Sequence, residues 1–174
     1  MPKSQNITAV VPDEIVKLNR KIKYAIYDLS QHADKNNKLE DLYHNLKDKL
    51  GTAYALACHR YKPKELENLC LDPKSPPNFV ILNKGYKYMP EKIRKLLLYH
   101  EEGHIFAQNT TRIDIVNNML ELEADMYAFR KLGVKTVEEV LKYAAILIRG
   151  RINPSWVWDV GKAAYRLYEL KEIK

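Results

Sequence analysis

Apolar residues recur at helical spacing along most of this chain, and the pattern predicts a largely helical protein. Near the N-terminus it predicts an amphipathic helix over residues 13–31, with the apolar positions Ile15, Leu18, Ile22, Ala25, Ile26 and Leu29. Residues 39–50 repeat the pattern and stop at Gly51, and a polar loop at residues 34–38 separates the two segments. Together they predict an N-terminal helical extension over residues 13–50.

One segment instead predicts a β-strand. Residues 78–83 form a short apolar run, which follows a proline-containing connector and ends at Lys84-Gly85. Residues 54–61 fit either a strand or a short helix, because their apolar run is too brief for periodicity to decide. The sheet is therefore expected to be short.

The C-terminal half predicts four consecutive helices from its periodicity and its capping residues. One opens at Pro90-Glu91, one covers residues 115–132 and ends at Gly133, one opens at the capping box Thr136 to Glu139 and ends at Gly150, and one opens at Asn153-Pro154. The last two form a predicted C-terminal helical extension over residues 136–172. The whole chain predicts an α+β, mostly helical fold in a single domain of residues 1–174, an ordinary domain length.

The composition indicates the cellular compartment and limits the kinds of partner that we expect. No apolar run approaches the roughly 18–20 residues of a membrane span, and the N-terminus lacks the regions of a signal peptide, so we expect a cytoplasmic protein without a membrane span. Cys58 and Cys70 are expected to be reduced thiols, because their spacing matches no zinc site. The net charge of +7 is spread along the chain, so it permits a nucleic-acid partner without indicating one.

Candidate chemistry lies in the helix that opens at Pro90-Glu91. His100, Glu101 and His104 form an HExxH pattern, His100-Glu101-Glu102-Gly103-His104. One helical turn is about 3.6 residues, so imidazoles at positions i and i+4 share a face and can reach one ion. Zinc binds such a histidine pair, and the glutamate of this pattern is the general base on the zinc-bound water. The pattern therefore predicts His100 and His104 as zinc ligands and Glu101 as the catalytic base.

A third ligand is expected on the following helix, because a catalytic zinc ion normally has three protein ligands. Glu121 follows His104 at a distance that allows the chain to turn and bring a second helix back against the first. Asp125 lies one helical turn after Glu121, where its carboxylate can accept the remaining N–H of a ligand histidine. Ala124 is small, which permits the two helices to approach closely.

These residues resemble those of the gluzincin metallopeptidases. The similarity rests on the HExxH pattern and on the segment Glu121-Leu122-Glu123-Ala124-Asp125, and within the group it extends to minigluzincins and to HtpX-type, CAAX-prenyl and ImmA/IrrE-type peptidases. The resemblance implies a zincin-like core over residues 78–132, built from a short sheet, an active-site helix and a glutamate helix. It also implies that residues 79–83 are the edge strand that aligns substrate. Glu102 departs from the ImmA/IrrE type, which usually has an apolar residue there.

The motifs together predict a zinc-dependent metallopeptidase that hydrolyses peptide bonds of a peptide or protein substrate through a zinc-activated water. The alternative is a zinc-binding regulatory or interaction protein with a gated or inactive peptidase fold, and a third interpretation has the terminal helices covering the cleft. The donor that stabilises the transition-state oxyanion stays open at this point. The candidates from sequence are His32, His44, His59, Tyr127, Arg130 and Tyr143.

Overall fold

A small mixed sheet organises the fold. The computed structural model describes residues 9–32, 37–50, 54–110, 117–152 and 157–172. Within these ranges the strands are β1 (Glu14–Lys17), β2 (Lys23–Asp28), β3 (Ala55–Cys58) and β4 (Phe79–Leu82). Their order in the sheet is β1-β2-β4-β3, with β2 and β4 parallel and the outer pairs antiparallel.

Helices make up most of the remaining described residues. They are α1 (Leu29–His32), α2 (Asn37–Leu50), α3 (Pro63–Asn68), α4 (Glu91–Thr110), α5 (Asn117–Leu132), α6 (Val134–Arg149) and α7 (Val157–Glu172). The predicted α+β, mostly helical class is confirmed. Among the described helices, none combines the length and apolar character that a membrane crossing requires.

The predicted helix over residues 13–31 is wrong. This segment forms β1, a turn, β2 and the short helix α1, so the first half of the predicted N-terminal helical extension belongs to the sheet. Asn19 fixes the turn, because its side-chain oxygen accepts hydrogen bonds from the backbone N–H groups of Lys21 and Ile22, both at 2.8 Å. Such a side-chain acceptor competes with helical hydrogen bonding. Ile15, a predicted core position, is 55% exposed.

The burial of β2 explains why its apolar pattern predicts a helix. The side chains of Tyr24, Ala25, Ile26 and Tyr27 are all buried, because layers cover both faces of the sheet at this strand. A strand that is covered on both faces carries a continuous apolar run rather than an alternating one. Periodicity alone does not separate such a run from a buried helix.

The two faces of the sheet bury different helices. On one face, Tyr27, Phe79 and Ile81 pack in a cluster with residues of α2 and α3, including Leu39 and Leu66. The opposite face packs against α4, where Ile105 joins a second cluster whose sheet members are Tyr24, Ile26, Ala55, Val80 and Leu82. A third cluster joins α4 to α5, α6 and α7. Helix α4 therefore packs between the sheet on one side and the C-terminal helices on the other.

The strand predicted at residues 78–83 is confirmed as β4, and the ambiguous residues 54–61 contain β3. The expectation that residues 79–83 form the substrate-aligning edge strand is wrong, because β4 lies inside the sheet between β2 and β3. The edge beside α4 belongs to β3. Its Ala57 N–H points out of the sheet and donates to a side chain of α4, as described below.

The predicted C-terminal helices are present with adjusted starts. The helix that opens at Pro90-Glu91 is confirmed as α4, and α5 ends at Leu132 as expected. The capping box at Thr136 is not used, because α6 begins two residues earlier, after Gly133 with φ of 82°. The Val137 N–H already bonds to the Gly133 carbonyl, which places Thr136 inside the first turn. The predicted cap Asn153-Pro154 lies outside the described residues.

Candidate metal centre

Helices α4 and α5 pack against each other at Gly103 and Ala124. A Cβ atom at Gly103 would lie 2.7 Å from the Ala124 Cα and 2.9 Å from the Ala124 carbonyl oxygen, distances that real Cβ contacts do not reach. Gly103 therefore has to be glycine for the helices to approach this closely. Ala124 is fully buried at the contact, in keeping with the small residue expected there. The close approach places the motif of α4 opposite Glu121 of α5.

The side chains of three residues that could bind a metal ion lie close together between these helices. The Nε2 atoms of His100 and His104 lie 3.0 Å apart. The Glu121 carboxylate reaches both rings, with Oε2 at 3.4 Å from His100 Nε2 and Oε1 at 3.4 Å from His104 Nε2. The structure thus brings together the three residues that the sequence predicted as metal ligands.

The spacing of these donors fits a tetrahedral zinc ion. Zinc bonds imidazole nitrogen and carboxylate oxygen at about 2.1 Å, and at the tetrahedral angle this places donors about 3.4 Å apart. The two nitrogens are 3.0 Å apart, and each lies 3.4 Å from a different oxygen of Glu121. If one of these oxygens and both nitrogens held a zinc ion, a fourth position would stay open, as it does in catalytic zinc sites.

Glu101 lies beside the donors and is held from the sheet. Its Oε2 accepts a hydrogen bond of 2.7 Å from the backbone N–H of Ala57 in β3. Donor atoms of His100, Glu101 and His104 also lie within 4.8 Å of one another. The ligands of a single zinc ion lie closer together than this limit. Glu121 meets the tighter spacing, and Glu101 is anchored to β3. The distances therefore favour Glu121 over Glu101 as the third residue that could bind a metal ion.

Burial changes the acidity of Glu101. Loss of solvent raises the pKa of its carboxyl above the ordinary value, although the neighbouring His104 and His100 and the Ala57 N–H oppose the shift. A carboxyl group with a raised pKa is better matched to proton transfer near neutral pH than an exposed one.

Asp125 and Arg166 contact the side chains of His100 and Glu121 and orient them. Asp125 is 1% exposed, and its Oδ1 lies 2.7 Å from His100 Nδ1, the contact that the sequence predicted. Its other oxygen accepts a hydrogen bond from Arg166 Nε of α7, and a second nitrogen of Arg166 lies 3.8 Å from Glu121 Oε2. The carboxylate fixes the His100 ring so that Nε2 faces the other donors. Sequence reasoning missed Arg166, since no spacing rule connects α7 to the motif.

Two carboxylates keep a proton on His100 when no metal ion is bound. Burial lowers the pKa of His100, but hydrogen bonds to Asp125 and Glu121 outweigh it and raise the pKa to about 10. Hydrogen bonds to His100 and His104 in turn hold the pKa of Glu121 far below its usual range. Without a metal ion the carboxylates therefore favour a proton on the imidazole. A metal ion would have to replace that proton, so its affinity is expected to fall in acid.

Glu102 is a buried carboxylate on the opposite side of α4. Its Oε2 accepts a hydrogen bond of 3.1 Å from the Tyr24 hydroxyl, and its Oε1 accepts one of 2.6 Å from the Tyr127 hydroxyl. The Lys131 ammonium lies 3.5 Å from Oε1. A buried charge persists when hydrogen bonds and a counter-charge satisfy it. Glu102 thus ties α4 to β2 and α5 in place of an apolar contact.

A cleft of about 520 Å³ opens onto the donor atoms. Its walls come from β3, α4, α5 and α7, and Lys162, Ala163 and Arg166 contribute the side from α7. The apolar part of the lining includes Leu96 and Leu120. The C-terminal helix therefore forms one wall of the cleft.

Replacing Asp125 with asparagine tests the support behind the donors. Asp125→Asn keeps the side-chain size but removes the charge that orients His100 and pairs with Arg166, so we expect zinc affinity to fall by about 10-fold to 100-fold. Competition titration with a chromogenic chelator measures the change. Asp41→Asn on the exposed face of α2 is the control and should bind zinc like the wild type. Equal affinity in Asp125→Asn and the wild type would show that Asp125 does not support the metal site.

Comparison with models of protein families, with curated proteins and with solved structures gives no match for this chain.

Proposed function

We propose that this chain is a zinc-dependent metallopeptidase whose ligands are His100, His104 and Glu121 and whose general base is Glu101. The observation that carries the proposal is the grouping of the His100 and His104 Nε2 atoms, 3.0 Å apart, with the Glu121 carboxylate, which has one oxygen 3.4 Å from each ring, next to the partly buried Glu101. Donors at this spacing with an open fourth position suit catalysis. In this proposal the sheet with α4 and α5 forms a zincin-like core.

Glu101 and Asp125 have separate roles in the proposed hydrolysis. When bound, zinc would polarise the scissile carbonyl and lower the pKa of a water molecule towards neutrality. Glu101 accepts the proton of that water as the oxygen attacks the carbonyl carbon, and it then returns the proton to the leaving amine. Asp125 holds the His100 ring in place throughout.

The edge of β3 provides a surface for an extended peptide. Among the described strands β3 pairs only with β4, and its other edge lines the cleft next to Glu101. An extended peptide that adds to such an edge gains main-chain hydrogen bonds without a sequence requirement. We infer that β3 aligns the substrate backbone in this way.

A zinc-binding regulatory protein is the second candidate. The observation in its favour is that Arg166 of α7 contacts both Asp125 and Glu121, so the C-terminal helix is coupled directly to the donor set. A partner that moved α7 would change the site in that case. Cleavage of a peptide library by the purified chain favours the enzyme, and zinc binding without cleavage favours the regulatory protein.

Metal removal tests the proposal. The purified chain is expected to hold one zinc ion per molecule, to cleave members of a peptide library, and to lose cleavage in a chelator and regain it with added zinc. Because zinc binds the native state, loading at 1,000 times its dissociation constant should add about 4.1 kcal/mol to the free energy of unfolding. Elemental analysis, mass spectrometry of the library and thermal melting measure these effects.

The control for that experiment is the double variant His100→Ala with His104→Ala. It removes both nitrogen donors, so its melting temperature should not respond to zinc or to chelator. A wild-type chain that binds no zinc under these conditions would contradict the proposed function.

A further inference from the structure

His59 follows directly after β3 and faces the candidate site. Alternate residues of a strand point to the same face of a sheet, so His59 continues the row of Ala55 and Ala57. Ala55 packs in the cluster that contains Ile105 of α4, which identifies the face as the one towards α4. The small alanines leave room in front of the sheet, and His59 lines the cleft together with His100, Glu101 and His104.

The His59 ring has the chemistry of a hydrogen-bond donor. Its Nδ1 is buried and has no hydrogen-bond partner among the described residues. Burial, followed by repulsion from His104 and Arg60, lowers the pKa of His59 below its usual range. The ring is therefore neutral at neutral pH and carries a single N–H, as in enzymes that use a neutral imidazole to polarise a carbonyl.

The other donors that the sequence offered lie elsewhere. Those absent from the lining of the cleft are His32, His44, Tyr127, Arg130 and Tyr143. The His32 Nε2 is 2.9 Å from Asp13 Oδ2. The Tyr127 hydroxyl donates to Glu102. Of the six candidates from sequence, His59 alone lines the cleft.

Four further polar side chains of the cleft compete with His59 for the role. Arg166 is paired with Asp125, and the Tyr54 ring packs against Gly85 at the other end of β3. Gln108 and Lys162 also line the cleft, but their chains have more rotatable bonds than histidine. A donor to a developing charge works best when it is fixed in advance, and His59 sits at the end of a paired strand.

We propose that His59 is a catalytic residue, which donates an N–H hydrogen bond to the oxygen of the scissile carbonyl as that oxygen becomes negative. The inference rests on the proposed peptidase function. As the water oxygen bonds to the carbonyl carbon, the π electron pair moves to the carbonyl oxygen and the water proton moves to Glu101. The pair returns when the C–N bond breaks and Glu101 protonates the amine. His59 stabilises the oxygen without giving up its proton.

The kinetic test uses a peptide that the zinc-loaded chain cleaves in a library screen. His59→Ala should lower kcat by about 100-fold to 1,000-fold while KM changes by less than about threefold, because the lost interaction exists only in the transition state. His59→Gln should recover part of the loss, since its amide can also donate. His44→Ala, on the exposed face of α2, is the matched control and should keep the wild-type kcat.

A binding measurement gives a readout besides activity. N-phosphoryl-leucinamide presents tetrahedral anionic oxygens like those of the transition state, and calorimetry with the zinc-loaded chain measures its affinity. His59→Ala should weaken this binding at least about tenfold while the zinc content stays at the wild-type value. Zinc-loaded wild type that does not bind the compound would overturn the inference.

The remaining outcomes separate the inference from the proposed function. If His59→Ala keeps kcat within about threefold of the wild type while Glu101→Gln is inactive, the role of His59 is refuted and the peptidase stands. A large loss in Gln108→Ala or Lys162→Ala but not in His59→Ala would move the role to that residue. A chain that holds no zinc and cleaves no peptide would remove the proposed function and this inference together.

Discussion

Glu101→Gln is expected to abolish peptide cleavage while leaving zinc bound. The amide cannot accept the proton of the attacking water, so kcat should fall by at least about 100-fold and by up to about 10,000-fold. Zinc should remain, because the proposed ligands are His100, His104 and Glu121, whose donor atoms lie 3.0–3.4 Å from one another, and not Glu101. Cleavage of a peptide from the library and the metal content of the same sample are measured together.

Two further variants make the result specific. Glu91→Gln changes an exposed glutamate at the start of the same helix and should keep full activity. Glu121→Gln should instead lose zinc, because it removes the charge of a ligand. If Glu101→Gln loses zinc and Glu121→Gln keeps it, Glu101 rather than Glu121 is the third ligand. Equal cleavage by Glu101→Gln and the wild type would refute the mechanism.

The grouping of the predicted metal ligands could be inferred from the sequence because their arrangement is mostly local. His100 and His104 share a helical face by the geometry of a single turn, and the same rule places Glu121 and Asp125 on one face of α5. The one tertiary contact involved is the approach of α4 and α5, and the small Ala124 indicates it. The structure places all four side chains within one hydrogen-bonded group.

The parts that sequence analysis missed depend on non-local contacts. The apolar pattern of residues 13–31 predicts a helix although the segment forms strands, because β2 is covered on both faces and has no alternation, and its pairing with β4 cannot be seen locally. Arg166 reaches Asp125 from α7, which only the packing of the C-terminal helices brings near. The edge position of β3 likewise depends on strand order rather than on its own residues.

Glu102 shows how a departure from a familiar pattern can be compensated in the fold. An apolar residue would pack at this place between the sheet and α5, whereas this chain supplies hydroxyl groups from Tyr24 and Tyr127 to a buried carboxylate. Each removed partner would leave a buried polar group unsatisfied, at a cost of about 1–3 kcal/mol. The three residues therefore form one unit, although the sequence spreads them over three elements.

Gly103→Ala is expected to destabilise the chain and to weaken its zinc site. The new Cβ would meet the backbone of Ala124 at 2.7 and 2.9 Å, and backbone cannot rotate away as a side chain can. The clash is relieved only if α4 and α5 move apart. Overpacking of this kind typically lowers the free energy of unfolding by about 1–3 kcal/mol. The same separation would carry Glu121 away from the two imidazoles, so zinc affinity should fall by about tenfold, as when other groups that orient ligands are lost.

Gly161→Ala provides the matched control for this variant. Gly161 lies inside α7, is exposed, and a Cβ atom there would meet no atom within 4 Å. Alanine is the better helix former, so the control should gain about 0.5–1 kcal/mol and bind zinc like the wild type. Chemical denaturation and zinc competition measure both variants. A Gly103→Ala chain with the stability and zinc affinity of the Gly161→Ala chain would mean that the α4–α5 contact does not set the geometry of the metal donors.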